Sequence, residues 1–322
     1  LHLAQADTAQ YKAKKDRLKN VILKTENLVL PYSSETGDIP IYIARHLEER
    51  LGLGGDVSPS DRIRMLQVAE KTTGVSFGFV ELTEDDDGII RHAVLADTGG
   101  GIRTSFPLRI FMRYHGIDRD KLSVKDDRLN AGNYAIPLEQ GALIINYAGP
   151  PGTFRAVSMI DVERKKNDPA FLARHFRDRV VLIGVWDRML MDVHNTPYVS
   201  SVNGAYRTMY GVEIIATILD TMLRQRYLKR SGTVLAMALC FLFVLGGVML
   251  TRLSATRGIA AVAVAEAAYL AAAFGLFLFC RYETAVSLPL LALPLSFSAG
   301  YLFEHYILGR DRILLENVLG SY

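Results

Sequence analysis

The spacing of apolar and polar residues divides the chain into two regimes. Up to Arg230, short apolar runs alternate with charged stretches; beyond it, apolar residues continue almost unbroken. Residues 7–27 carry a helical pattern rich in Lys, Ala, Gln and Leu, with Asp7 as N-cap. Residues 27–32 read as a short strand. Residues 41–51 and 59–70 read as helices, the first closed by Gly52 and the second capped by Ser58 or Ser60. Residues 75–80 and 89–95 read as strands, and Asp87-Gly88 between them predicts a hairpin. Residues 106–116 fit a helix with Leu108, Phe111 and Met112 on one side. Residues 143–147 form a predicted strand, 158–162 a short element and 169–175 a helical turn or two. The run 180–185 reads as a buried strand, followed by a polar loop. Residues 211–230 then predict a helix whose Ile215, Ile218, Leu219, Met222 and Leu223 make a core-facing stripe. This helix is expected to run directly into the first membrane-length segment. The alternation of strands and helices implies an α/β fold, a mixed sheet with flanking helices.

The second regime holds three apolar segments, residues 231–251, 258–280 and 284–303, of 21, 23 and 20 residues. About 20 residues cross the hydrocarbon core of a bilayer, so three transmembrane helices are expected. Their connections are short enough for helical hairpins only. Glu266 is the one charge inside a span, and an intramembrane carboxylate is costly. Its two readings are a functional group and a side chain buried against a neighbouring helix or subunit. Pro289 and Pro294 are expected to kink the third segment. Basic residues flank both sides almost equally, so the charge rule does not orient the segments.

Composition sharpens this division. Of the 37 Lys and Arg and the 34 Asp and Glu, only five of each sign lie beyond Arg230. The near balance before Arg230 lacks the clustered basic face that nucleic acid requires. Both cysteines, Cys240 and Cys280, lie in apolar segments, so no disulfide framework is expected before them. The first residue is Leu1, and the chain reads as a fragment or a processed product.

Few patterns carry chemistry. The run 84–87 places carboxylates contiguously, unlike the alternate spacing of a calcium loop, and reads as a solvated turn. Gly99-Gly100-Gly101 lacks the spacing of a phosphate loop. There is no nucleophile elbow and no zinc-protease motif. No catalytic residue, metal site or cofactor is therefore assigned. The loop after the 180–185 run is the best ligand-sensing candidate, through Trp186, Asp187, Asp192, His194 and Thr196, because ligands gather at strand carboxyl ends. The alternative is that Asp192 and Thr196 simply fix the loop by bonds to its backbone. Glu213 suits the positive end of the following helix. With Ile215, Ile218 and Met222 it forms the candidate signal-transmission set.

Four segments in order resemble the second class of CHASE extracytoplasmic sensor domain. They are Asp85-Asp86-Asp87-Gly88-Ile89-Ile90-Arg91, residues 141–150, residues 180–185 with Asp192 and Thr196-Pro197, and Gly211-Val212-Glu213-Ile214 leading on to Leu228. The resemblance covers roughly residues 7–308, but the family's usual opening, a membrane helix and the first strand–helix units, is not seen. It implies a sensor domain at 1–230 outside the cytoplasmic membrane, three transmembrane helices at 231–308, and a cytoplasmic linker beginning at 309. It implies the bilayer as a partner, an extracytoplasmic ligand or protein, and a homodimer or higher homo-oligomer. The ending, with Ile313, Leu314 and Val318 as a seam for a partner chain, resembles the linker before class III nucleotide cyclase domains. The expected effector is an adenylate cyclase converting ATP to cyclic AMP. A histidine kinase in its place, or an anchor or scaffold with no effector, stays open.

Overall fold

In this computed structural model, the described residues are 28–33, 58, 66, 70, 74–99, 102–184, 192–199 and 206–308. Strand β1 (Val29–Tyr32) pairs in parallel with β2 (Ser76–Phe79), Leu30 opposite Phe77. Leu30, Tyr32, Leu66, Val75, Phe77 and Phe79 bury a small core there. Side chains finish the ladder on the other edge of β2. The Phe77 N–H donates to Glu70 Oε1 (2.6 Å), and its carbonyl accepts from Arg119 Nη2 (3.3 Å). Glu70 in turn pairs with Arg109 and Arg119 at 3.3 and 3.0 Å. Such capping satisfies an edge that would otherwise invite another strand.

Beyond β2, β3 (His92–Ala93) pairs antiparallel with β9 (Leu143–Ile144), and β4 (Ala96–Asp97) with β5 (Arg103–Thr104). Helix α1 (Phe106–Tyr114) starts where Ser105 Oγ accepts from the Leu108 N–H and Pro107 pre-sets the first turn. It lies so close to β2 that a Cβ on Gly78 would sit 2.5 Å from Phe106 Cα. Strands β6 (Leu122–Lys125), β7 (Arg128–Ala131) and β8 (Tyr134–Pro137) form a meander. Its first turn holds Asp126 and Asp127 at φ 51° and 54°, the left-handed pair that matches strand twist. Helices α2 (Met159–Arg164) and α3 (Pro169–His175) are capped by Ser158 and Asp168 and bury no residue. Strand β10 (Val193–Val199) pairs antiparallel with β11 (Tyr206–Tyr210), which leads into α4 (Gly211–Leu223). The main core joins Leu108, Phe111 and Met112 of α1 to Ile214, Ile218, Leu219 and Met222 of α4. Burying each such side chain contributes about 1.5–3 kcal/mol.

Several expectations are corrected. The structure is a mixed α/β arrangement, but among the described residues its strands form small separate sheets rather than one mixed sheet. The strands at 75–80 and 89–95 do not form a hairpin. The Asp87-Gly88 turn is made, yet β2 takes β1 as its neighbour and β3 takes β9, because long-range burial outweighs a local turn signal. Residues 180–184 are not a buried strand: they have no ladder partner among the described residues, and Val180, Val181 and Ile183 are exposed. An apolar run becomes a strand only where a neighbour meets its backbone. The helix expected over 211–230 ends at Leu223; Gln225 takes φ 52°, and residues 226–228 are irregular. The expected helices at 7–27 and 41–51, and nearly all of 59–70, lie outside the described residues.

The chain divides into two compact units, Leu1–Tyr227 and Leu228–Tyr322. In the second, α5 (Thr233–Leu250) and α6 (Ala255–Cys280) are long and apolar enough to cross a membrane. Helix α7 (Ser287–Leu302) is also apolar but has 16 residues, and continues as a π-helical turn over Phe303–Leu308. Pro289 falls in its first turn, where no intrahelical donor is lost, so a kink is expected only from Pro294 in the interior. Strand β12 (Lys229–Arg230) pairs in parallel with β13 (Tyr282–Glu283), and Arg230 meets Glu283 at 3.2 Å. The start of α5 and the end of α6 are thereby clasped together. Helix α7 approaches α5 at Gly247, where a Cβ would lie 2.7 Å from the Leu293 carbonyl oxygen.

Candidate functional site

The acidic turn and the start of β10 come together in the first unit. Gly88, at φ 74°, lets the chain reverse, with the Asp85 N–H donating to the Ile89 carbonyl (3.0 Å). Arg91 clamps the reversal: Nη1 donates to Asp85 (3.0 Å) and Asp87 (2.9 Å), and Nη2 to Asp87 (2.8 Å). His92 Nδ1 lies 2.8 Å from the other Asp85 oxygen. Burial raises the Asp85 pKa, but the bonds from His92 and Arg91 outweigh it, and the carboxyl sits below its usual range. The Arg91 hydrogen bond, opposed by slight desolvation, likewise depresses Asp87. The run read as a solvated turn is thus an organised ionic turn.

Strand β10 lies beside it. The Ile90 N–H donates to the Asn195 carbonyl (3.1 Å), and Asn195 Nδ2 donates to the Gly88 carbonyl (3.4 Å). This register sets His194 between two carboxylates, with Nε2 3.3 Å from Asp192 and Nδ1 3.6 Å from Glu84. A carboxylate therefore stands at each ring nitrogen. Asp192 also touches the head of α4. Its carbonyl accepts from the Gly211 N–H (3.2 Å), and a Cβ on Gly211 would lie 2.8 Å from its Oδ2. A side chain at Gly211 would push the Asp192 carboxylate aside.

Of the predicted sensing residues, Asp192 and His194 are brought together, and Thr196 is fully buried beside them on β10. Trp186 and Asp187 lie outside the described residues. The transmission set falls on α4, with Glu213, Ile215, Ile218 and Met222 all buried. Glu213 Oε1 accepts from the Gly152 N–H (2.7 Å), while Oε2 has no hydrogen-bond partner among the described residues. Sequence reasoning missed Glu84, Arg91, His92 and Tyr147 as partners of this site. The only signal for them was the acidic-Gly-apolar-Arg turn itself. Glu266 lies on α6, with Oε1 buried and without a hydrogen-bond partner among the described residues. No group of three or more metal-type ligands occurs among the described residues.

A sequence model for a family described as CHASE2 domain matches residues 2–250. No curated protein and no solved structure matches the chain.

Proposed function

Because the chain belongs to the CHASE2 domain family, a family of extracellular sensor domains of signal-transduction proteins, we propose that it is the sensing and membrane module of a bacterial receptor. In this reading the unit ending at Tyr227 lies outside the cytoplasmic membrane. Helices α5, α6 and α7 cross the membrane, and the residues after 308 reach the cytoplasm. The carrying observation is that the family match ends with α5, a helix of membrane-crossing length, and that a second such helix, α6, follows it. Helix α7, with its π-helical continuation, supplies enough length for a third crossing.

The input is the ionic turn with Asp192 and His194, and the output element is α4. A ligand biases such a device only through its different affinity for two states. The effector is a class III nucleotide cyclase acting on ATP, carried by two copies of the chain. This finer reading rests on the resemblance of residues 309–322 to the linker of such enzymes.

Two measurements test the proposal. A Ser123→Cys variant, with Cys240 and Cys280 replaced by alanine, is treated in intact cells with a membrane-impermeant thiol reagent. Labelling is expected before lysis; labelling only after lysis overturns the extracytoplasmic placement. Membranes carrying the native reading frame are then assayed for cyclic AMP from ATP. Its absence, with histidine phosphorylation in its place, favours a kinase; absence of both favours a scaffold.

A further inference from the structure

Between β9 and α2 the chain passes from Ile145 to Gly152 without regular secondary structure. Long-range bonds set its path. The Ile145 N–H donates to the Arg91 carbonyl (2.9 Å), and the Tyr147 hydroxyl to the Ile90 carbonyl (2.7 Å), both at the exit of the ionic turn. The Tyr147 carbonyl accepts from the Tyr198 hydroxyl of β10 (3.4 Å), and the two rings meet edge to face at 6.0 Å. Three bonds reach α4 or its exit. The Gly152 N–H donates to Glu213 in the first turn (2.7 Å), and the Thr221 hydroxyl shares its proton between the Thr217 carbonyl (2.9 Å) and the Asn146 carbonyl (3.2 Å). Asn146 Nδ2 donates to the Arg226 carbonyl, just past the helix end (2.8 Å).

We infer that residues 146–152 are a coupling strap, joining the ionic turn and β10 to α4 at its head, its last turn and its exit. A segment without its own ladder or helix bonds moves with whatever holds its side chains and carbonyls. A displacement of the turn therefore reaches α4 through Tyr147 and Asn146, and the helix head through Glu213. Its buried Oε2 lacks a donor among the described residues, and a shift that brings one relieves the cost of a bare buried acceptor. The strap rests on the proposed reading only in taking α4 as the output element.

Amide hydrogen exchange on the full chain in detergent micelles tests it. Tyr147→Phe removes one hydroxyl and keeps the ring. Exchange at amides 218–222 of α4 is expected to rise about fivefold, the equivalent of one net hydrogen bond. Amides of Leu129 and Ile136 in the meander should be unchanged. Coupling is reciprocal, so Thr221→Val should raise exchange at the Asp85 and Gly88 amides. The inference is overturned if the Tyr147→Phe effect stays within 89–91 and 145–148, or if the meander loosens equally. If Tyr147→Phe does not fold, the Thr221→Val arm decides alone, an unchanged Asp85 amide refuting the strap. Intact exchange coupling with a silent effector would sink the sensor reading and leave the strap standing.

Discussion

Replacing Glu213 by Gln and by Ala separates what its charge contributes from what its hydrogen bond contributes. The side chain is 2% exposed, stands in the first turn of α4, and accepts from Gly152 with one oxygen only. Alanine removes a charge-assisted bond worth about 1.5–3 kcal/mol, the burial of one methylene at about 0.8 kcal/mol and the helix-end attraction of about 0.3–1 kcal/mol. Against this, it relieves a bare buried oxygen that costs about 1–3 kcal/mol. Alanine is therefore expected to destabilise by about 1–3 kcal/mol. Glutamine keeps the acceptor for Gly152 and loses the helix-end attraction, about 0.3–1 kcal/mol. It should stay within about 1 kcal/mol of the native protein. Urea unfolding of the full chain in micelles, followed by the fluorescence of the single tryptophan, reads the first unit, because Trp186 precedes the unit boundary at Tyr227. If alanine proves no more destabilising than glutamine, the Gly152 bond carries nothing and the anchoring of the strap at α4's head is wrong.

Gly211→Ala displaces the half-exposed Asp192 carboxylate from the head of α4 and should cost under about 1 kcal/mol. Combining it with Asp192→Ala should recover part of that loss, and strict additivity would refute the contact. The Asp85 carboxyl lies below its ordinary 3.8 in the folded chain, so the unfolded chain binds the proton more tightly. The Asp85 contribution is therefore present above pH 3.8 and lost as pH falls through the depressed value. The stability gap between native protein and Asp85→Asn should be constant near pH 6 and close in acid; a gap that widens in acid contradicts the ionic turn. Lys229→Cys with Tyr282→Cys, on a background lacking Cys240 and Cys280, should form a disulfide. Failure to oxidise would exclude the β12–β13 clasp.

The sequence signals that proved reliable were those acting within one turn of chain. Leu108, Phe111 and Met112 mark the buried side of α1, and the stripe from Ile215 to Met222 marks the buried face of α4. The end of α4 was hidden because no glycine or proline stops it. Gln225 adopts the left-handed conformation itself, and the Arg226 N–H turns back to the Thr221 carbonyl (3.0 Å). The meander over 122–137 went unread although Asp126-Asp127 and Gly132-Asn133 mark its turns. The run 180–184 was misread because apolar content specifies burial only when a partner strand exists, and pairing is not written locally. The same limit applies to the site. Asp192 and His194 announce themselves by chemistry and spacing, whereas Glu84 and Tyr147 join them only through the fold.

The break after Leu223 bears on what motion can leave the sensor. A continuous helix from α4 into α5 would transmit rotation and axial shift as a rod. Here the link from Arg224 to Leu228 is irregular, and α5 starts from a strand held elsewhere. The Lys229 N–H donates to the Arg281 carbonyl (3.0 Å) and the Ser231 N–H to the Glu283 carbonyl (2.8 Å), so the head of α5 is tied to the end of α6. A link without helical structure predicts that rotation of α4 is not passed on as by a rod, and that only a pull through a short tether would be. Inserting one to four glycines after Gln225 distinguishes the two cases. A rod would lose and regain output with the helical period, because each residue turns it by about 100°. A tether should lose output steadily, since each residue adds up to about 3.5 Å of slack. Under the proposed cyclase reading, cyclic AMP production by membranes carrying the native reading frame is the readout. Recovery at four residues would restore the rod and refute the tether.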